Sequence, residues 1–172
     1  LDAGPVYSQR RVPIGAMETA GDLSARLAGL GAALLIETLD GITAEGLEPR
    51  EQPDEGVTFA PLLKKSDGLI DWNRDAAAVH DHIRGMNPWP GSHTAWEGRM
   101  IKVHRSEPVT GGAAGARPGA VLRASGGILE VACAAGSVRL TMLQAEGKKI
   151  LPAGEFLRGS GLREGSVLGG ER

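Results

Sequence analysis

The stretch GAVLRASGGILEVACAAGSVRLTML, residues 119–143, decides the fold. It contains three runs rich in Val, Leu and Ile: Gly119 to Ala124, Ile128 to Ala134 and Val138 to Leu143. Ser125 to Gly127 and Ala135-Gly136 punctuate them. Runs of this length between glycine turns read as short strands. Upstream, His93 to Trp96 and Met100 to Arg105 flank the turn Glu97-Gly98, and Gly111 to Pro118 leads back to Gly119. Five strands at nearly regular spacing predict a small β-barrel. Downstream, Pro152 opens a short helix through Leu157, and Ser166 to Leu168 adds a last strand. Thr110 to Ala116 is low in complexity and reads as a mobile loop.

Before the barrel, Asn73 caps a predicted helix through Gly85, with Ala76, Val79, Ile83 and Met86 on one face. Asn87-Pro88-Trp89-Pro90-Gly91 ends it, since proline removes a donor and bars α geometry before it. Further upstream, residues 42–63 mix Glu45, Glu48, Glu51, Asp54 and Glu55 with Pro49, Pro53, Gly46 and Gly56, which reads as a solvated linker. Val6 to Ile14 reads as a strand. Thr19 with Asp22 forms a capping-box pattern ahead of Leu23, Leu27, Leu30 and Leu34, and Gly41 is the expected stop. One amphipathic helix cannot bury that stripe by itself, so residues 1–41 read as the tail of a larger domain.

Charge divides the chain in the same place. Residues 1–62 carry four Lys/Arg against ten Asp/Glu, and residues 63–172 carry fifteen against eleven. Such asymmetry indicates two units with different partners, and the cationic excess suits a nucleic-acid face without establishing one. Aromatic residues are only 3%, so aliphatic side chains must fill the core. No unbroken apolar run reaches the ~18 residues of a membrane span, and no signal segment opens the chain. The single Cys133 lies in an apolar run and reads as a buried structural thiol in a reducing, cytoplasmic compartment.

Few residues carry chemistry. His80 and His82 stand two apart on the predicted helix, so they face different sides and cannot share a metal. His93 and His104 fall in different strands, and no metal site is expected. Asp2, before Ala3-Gly4-Pro5, sits on a tight loop, where it is either an Asx-turn residue or an active-site carboxylate. Lys64-Lys65 and Lys148-Lys149 flank the predicted barrel, and Lys102, Arg105, Arg123 and Arg139 fall in its strands. Pairs like these are commonly just solvated, but a small barrel with a basic face is also a common nucleic-acid binder.

Several stretches, in order, resemble the methionyl-tRNA formyltransferase family. Leu1-Asp2-Ala3-Gly4-Pro5-Val6 looks like the last catalytic motif of its folate-dependent domain. Ile14, Glu18-Thr19, Asp22-Leu23 and Gly31-Ala32 through Leu39 are similar to the helix closing that domain. Phe59-Ala60-Pro61, Lys65, Asp67-Gly68 and Ile70-Asp71-Trp72 resemble its interdomain junction, where Leu62 replaces a lysine common in relatives. Ile83-Arg84-Gly85, Asn87 to Gly91, Lys102-Val103, Gln144, Gly147-Lys148-Lys149 and Glu155-Phe156-Leu157-Arg158-Gly159 resemble the C-terminal domain.

The resemblance implies an α+β arrangement. Residues 1–41 would be the remnant of an α/β formyltransferase domain, 42–63 a linker, and 64–172 an OB-like barrel with short helices that binds tRNA. It implies transfer of a formyl group from 10-formyltetrahydrofolate to the amine of methionyl initiator tRNA, for translation initiation. Asp2 would be the catalytic aspartate, its asparagine and histidine partners lying upstream, so the chain alone is expected to be inactive. Lys65, Arg84, Lys102, Lys148 and Lys149 would hold tRNA, with Arg105 added by position. The full-length protein would be monomeric and the fragment prone to self-association. The rival readings are a folate-using relative acting on a nucleotide sugar or on folate itself, and a free-standing RNA-binding module. Lys65, Lys148 and Lys149 with the Phe156-Leu157-Arg158-Gly159 segment argue against the first, and the leucine-striped helix against the second.

Overall fold

A computed structural model describes residues 3–109, 111 and 115–169. By contacts the chain divides into two compact units, Leu1–Leu62 and Leu63–Arg172. Asp2 and most of the Thr110 to Ala116 loop lie outside the described residues.

In the first unit, the Thr19 Oγ1 accepts from the Asp22 amide at 3.2 Å and the Asp22 carboxylate accepts from the Thr19 amide at 3.1 Å. This capping box satisfies two orphan donors and starts helix α1, Ala20–Asp40. Gly41 is not the stop. It keeps right-handed helical geometry at φ −60° and leads into a π turn, Gly41–Glu45, which ends at Gly46 with φ +67°. A glycine ends a helix only where the backbone turns left-handed, and here Gly46 makes that turn.

The strand expected over Val6 to Ile14 does not form. Val6 makes a single antiparallel bridge to Arg50, with N–H···O distances of 2.8 and 2.9 Å. A strand-like composition needs a neighbouring ladder, and among the described residues the acidic segment supplies one pairing residue. Gln52 adds a side-chain donation to the Gly4 carbonyl at 2.7 Å. No residue of α1 is buried, and Leu27, Leu35, Ile36 and Leu39 are exposed. Together with its π turn (Ala20–Glu45), α1 is long and apolar enough to cross a membrane by length and composition only. Its average hydropathy meets that standard although charged residues interrupt the run. Arg10–Glu37 at 2.7 Å and Arg26–Glu18 at 2.8 Å tie the helix to the preceding segment. The Arg26 hydrogen bond holds the Glu18 carboxyl below its ordinary range.

The second unit is a mostly antiparallel sheet with two helices. Its strands are β1 Ser92–Trp96, β2 Arg99–Val109, β3 Val121–Ser125, β4 Ile128–Ala132, β5 Ser137–Ala145 and β6 Leu151–Pro152. The ladder runs β1-β2-β5-β4-β3, with β6 on β5. Among the described residues the sheet is not closed, so the expected barrel closure is not present in its pairing. The expected strand at Ser166 to Leu168 is reduced to a bridge, Ala120↔Val167. β2 is longer than its apolar run, continuing through Pro108. Its first half pairs with β1 and its second half with β5 alone, so Pro108 sits where a missing donor is tolerated.

Helix α2, Ala76–Gly85, has its cap two residues after the expected Asn73. Asp75 caps it, accepting from the Ala78 amide at 2.7 Å. Asn73 instead closes a turn on the Asp71 carboxylate at 3.0 Å. Val79 and Ile83 of α2 pack into a core with Val103, Leu129, Leu140 and Leu143, all 0–1% exposed. Burying each such side chain contributes about 1.5–3 kcal/mol. The Trp72 indole N–H donates to the Thr94 hydroxyl at 3.1 Å inside this core, which satisfies both polar groups. Helix α3, Ala153–Ser160, follows Pro152 and seats Ala153 and Phe156 on the sheet. Burial pushes the Cys133 thiol up to about 11, so it is an inert core group rather than a nucleophile.

Candidate nucleic-acid interface

The site begins with strand parity. Alternate residues point to opposite sheet faces, so burial of Ser92, Thr94, Ile101, Val103 and Leu143 turns their neighbours outward. His93, Lys102 and Gln144 are in register, His93↔Lys102 across β1 and β2 and Lys102↔Gln144 across β2 and β5. They form one cross-strand row on the outer face. The sequence alternation already placed Lys102 in a strand, but the row exists only because three distant segments pair.

Two loops enclose the row. The first is Asn87 to Gly91, closed by a Gly91 amide donation to the Met86 carbonyl at 2.8 Å. The second is a 3-10 turn at Lys65–Gly68, capped by the Asp67 carboxylate on the Lys64 amide at 2.7 Å. Past that turn, Ile70 donates to the His93 carbonyl at 2.9 Å and so joins the segment to β1. Gly68 is buried, and a Cβ added there would run into the Gly91 carbonyl oxygen. The resulting cleft is lined by Lys65, Trp89, Pro90, Gly91, His93, Met100, Lys102 and residues 144–147.

A hydrogen-bond chain supports its far wall. Asn87 donates from its amide to the His104 carbonyl at 2.7 Å. The His104 Nε2 lies 3.0 Å from the Gln144 Oε1, and the Gln144 amide donates to the Lys148 carbonyl at 2.7 Å. The loop bearing Trp89, the middle of β2 and the Gly147-Lys148-Lys149 turn are thereby fixed to each other. His82 supports the near wall from α2. Burial pushes its imidazole below the ordinary histidine range, against a raising hydrogen bond to the Gly68 backbone.

The structure brings together some of the expected cations and leaves others apart. Lys65 and Lys102 line one cleft. Lys148 and Lys149 are exposed on the turn that the hydrogen-bond chain holds. Arg105 is exposed because a bulge in β2 around it turns both His104 and Arg105 away from the core, but it does not line the cleft. Arg84 is on α2, paired with Asp81 at 2.8 Å, and does not line the cleft either. Asp2, expected to be catalytic, falls outside the described residues. Sequence reasoning missed Trp89 as a surface group, having treated it as one letter of a helix-ending motif. The two flanking prolines place it in a loop, but loop placement does not by itself expose an indole, since Trp72 also lies outside every helix and strand and is buried.

Such a unit is a mostly antiparallel sheet with a cationic cleft on its outer face and a buried thiol. The chain belongs to the family described as "Formyl transferase, C-terminal domain", which it matches over residues 62–161. It is 45% identical over 98% of its length to methionyl-tRNA formyltransferase of Citrifermentans bemidjiense, and 46% identical over 98% to that of Solibacter usitatus. It covers 52% and 53% of those proteins, so it spans about half the length of the curated relatives it matches. A crystal structure of HypX from Aquifex aeolicus with tetrahydrofolic acid shares the fold, with a TM-score of 0.65 at 21% identity, covering 92% of this chain and 28% of that one.

Proposed function

We propose that this chain is part of a methionyl-tRNA formyltransferase, and that its second unit holds initiator methionyl-tRNA while the formyl group is transferred from 10-formyltetrahydrofolate. The observation that carries the proposal is the convergence of Lys65 and Lys102 on one braced cleft, with the Lys148-Lys149 turn fixed to its wall. The identity of the relatives named above supports the activity. On this reading residues 1–41 belong to the catalytic α/β domain, 42–63 are a linker, and 64–172 form a partly open OB-like barrel. The exposed leucines of α1 are the face that domain would cover. The enzyme works in the cytoplasm, away from membranes. With that face uncovered, the isolated chain self-associates, whereas the complete protein is a monomer.

In the proposed chemistry the amine of the methionyl group attacks the formyl carbon of 10-formyltetrahydrofolate, the bond from that carbon to N10 breaks, and tetrahydrofolate leaves with the proton that the amine gives up. Asp2 assists proton movement by orienting a histidine of the catalytic domain. Lys65, Lys102, Lys148 and Lys149, with Arg84 and Arg105 as outer contacts, neutralise phosphates and set the distance to the reacting amine. The test joins this chain to the catalytic half of the Citrifermentans bemidjiense protein. The hybrid should formylate methionyl initiator tRNA, and Asp2→Asn should lower its turnover by roughly 10²–10⁴-fold. A folded hybrid that binds the tRNA but does not formylate it, or one indifferent to Asp2→Asn, contradicts the reading.

A further inference from the structure

Trp89 is 56% exposed, whereas Trp72 is 4% exposed and Trp96 packs against the core. Leaving an indole in water forgoes a large burial gain, so an exposed one held in a rigid cleft has a use for its face. The chain around it is stiff. Pro88 and Pro90 fix φ on both sides, Gly91 donates to Met86 at 2.8 Å, and the Asn87 amide is anchored on β2 at 2.7 Å. Little freedom remains to be lost on binding. Lys65 and Lys102 line the same cleft, with His93, Gln144 and one carboxylate, Glu146.

We propose that the Trp89 indole is a stacking platform for one unpaired nucleotide base, whose phosphate is neutralised by Lys65 and Lys102. The inference rests on the RNA-binding reading above and adds a contact that phosphate neutralisation does not require. An aromatic face with cations beside it matches a nucleotide, which presents a π-face and an anion within a few ångströms of each other. A duplex offers no such face, because its bases are stacked on one another. An apolar protein segment would leave two lysines unpaired over its contact.

The experiment titrates the whole chain with a short single-stranded oligo(A) RNA and reads tryptophan emission. Since Trp72 is buried and Trp96 is packed, Trp89 dominates what a ligand can quench. The expected result is a saturable emission change that a blunt-ended RNA duplex does not give. Trp89→Ala should weaken oligo(A) binding roughly 5- to 150-fold, corresponding to ~1–3 kcal/mol of stacking. Trp89→Phe should retain most of the affinity while losing the emission change, which separates stacking from misfolding. Salt-sensitive binding that is unchanged by Trp89→Ala and silent in emission overturns the stacking and leaves the phosphate contacts standing. An equal emission change with the duplex overturns the unpaired base. Wild type that binds neither RNA at low salt overturns the RNA face as well.

Discussion

Replacing Gly68 by alanine tests how the cleft is built. Gly68 has no left-handed φ, so the backbone itself accepts alanine. Space does not. An added Cβ would be driven into the Gly91 carbonyl oxygen and would lie 3.1 Å from the His93 Nδ1. Neither neighbour is the free end of a flexible side chain. Gly91 is held by Met86, and the His93 carbonyl holds Ile70. The turn must therefore move away from the Asn87 to Gly91 loop, loosening the His82 hydrogen bond to Gly68. Overpacking of this kind costs about 1–3 kcal/mol. With a urea slope of ~2 kcal/mol/M, the denaturation midpoint should fall by about 0.5–1.5 M. Because Lys65 lies on the same turn, tRNA affinity should fall too, although no cation has been removed. An unchanged midpoint with unchanged affinity refutes the argument that this contact sets the cleft.

Replacing Lys148 and Lys149 together by alanine should flatten the salt dependence of tRNA binding by about two contacts, with no shift in melting temperature, because both are exposed and unburdened by core packing; calorimetry and titration check the two halves. Cys133 should resist iodoacetamide in the native protein near neutral pH and react only on unfolding. Its thiol stays protonated in the folded state up to about 11, against an ordinary 9.0, so the unfolded state loses that proton first and stability should decline as pH rises between those values. Equilibrium denaturation of wild type and Cys133→Ala across that window measures the difference.

The readable parts of the sequence were those where the physics is local. The Thr19–Asp22 box needs only four residues, and it starts α1 as expected. Glycine-rich turns marked the strand gaps. What failed needed a partner. Val6 to Ile14 has strand composition, but a ladder is a property of two segments, and only Arg50 answers it among the described residues. Asp71, Asn73 and Asp75 are all competent caps. The turn that Asp71 closes uses up Asn73, leaving Asp75 to start α2. The cations divide on the same ground. Lys65 and Lys102 are 37 positions apart and meet because the 64–70 segment is pinned to β1. Arg84 was chosen by its motif alone, and its nearer partner is Asp81, one helical turn back.

Titration of the chain with initiator tRNA at several salt concentrations, wild type against Lys65→Ala/Lys102→Ala, shows whether the cleft holds phosphates. If the cleft holds phosphates, log affinity falls linearly with log salt, and the double variant's slope is shallower by about 1.5–2. Its thermal stability should be unchanged, since both side chains are exposed. Parallel lines for the two proteins, or binding by wild type that ignores salt, would contradict the account.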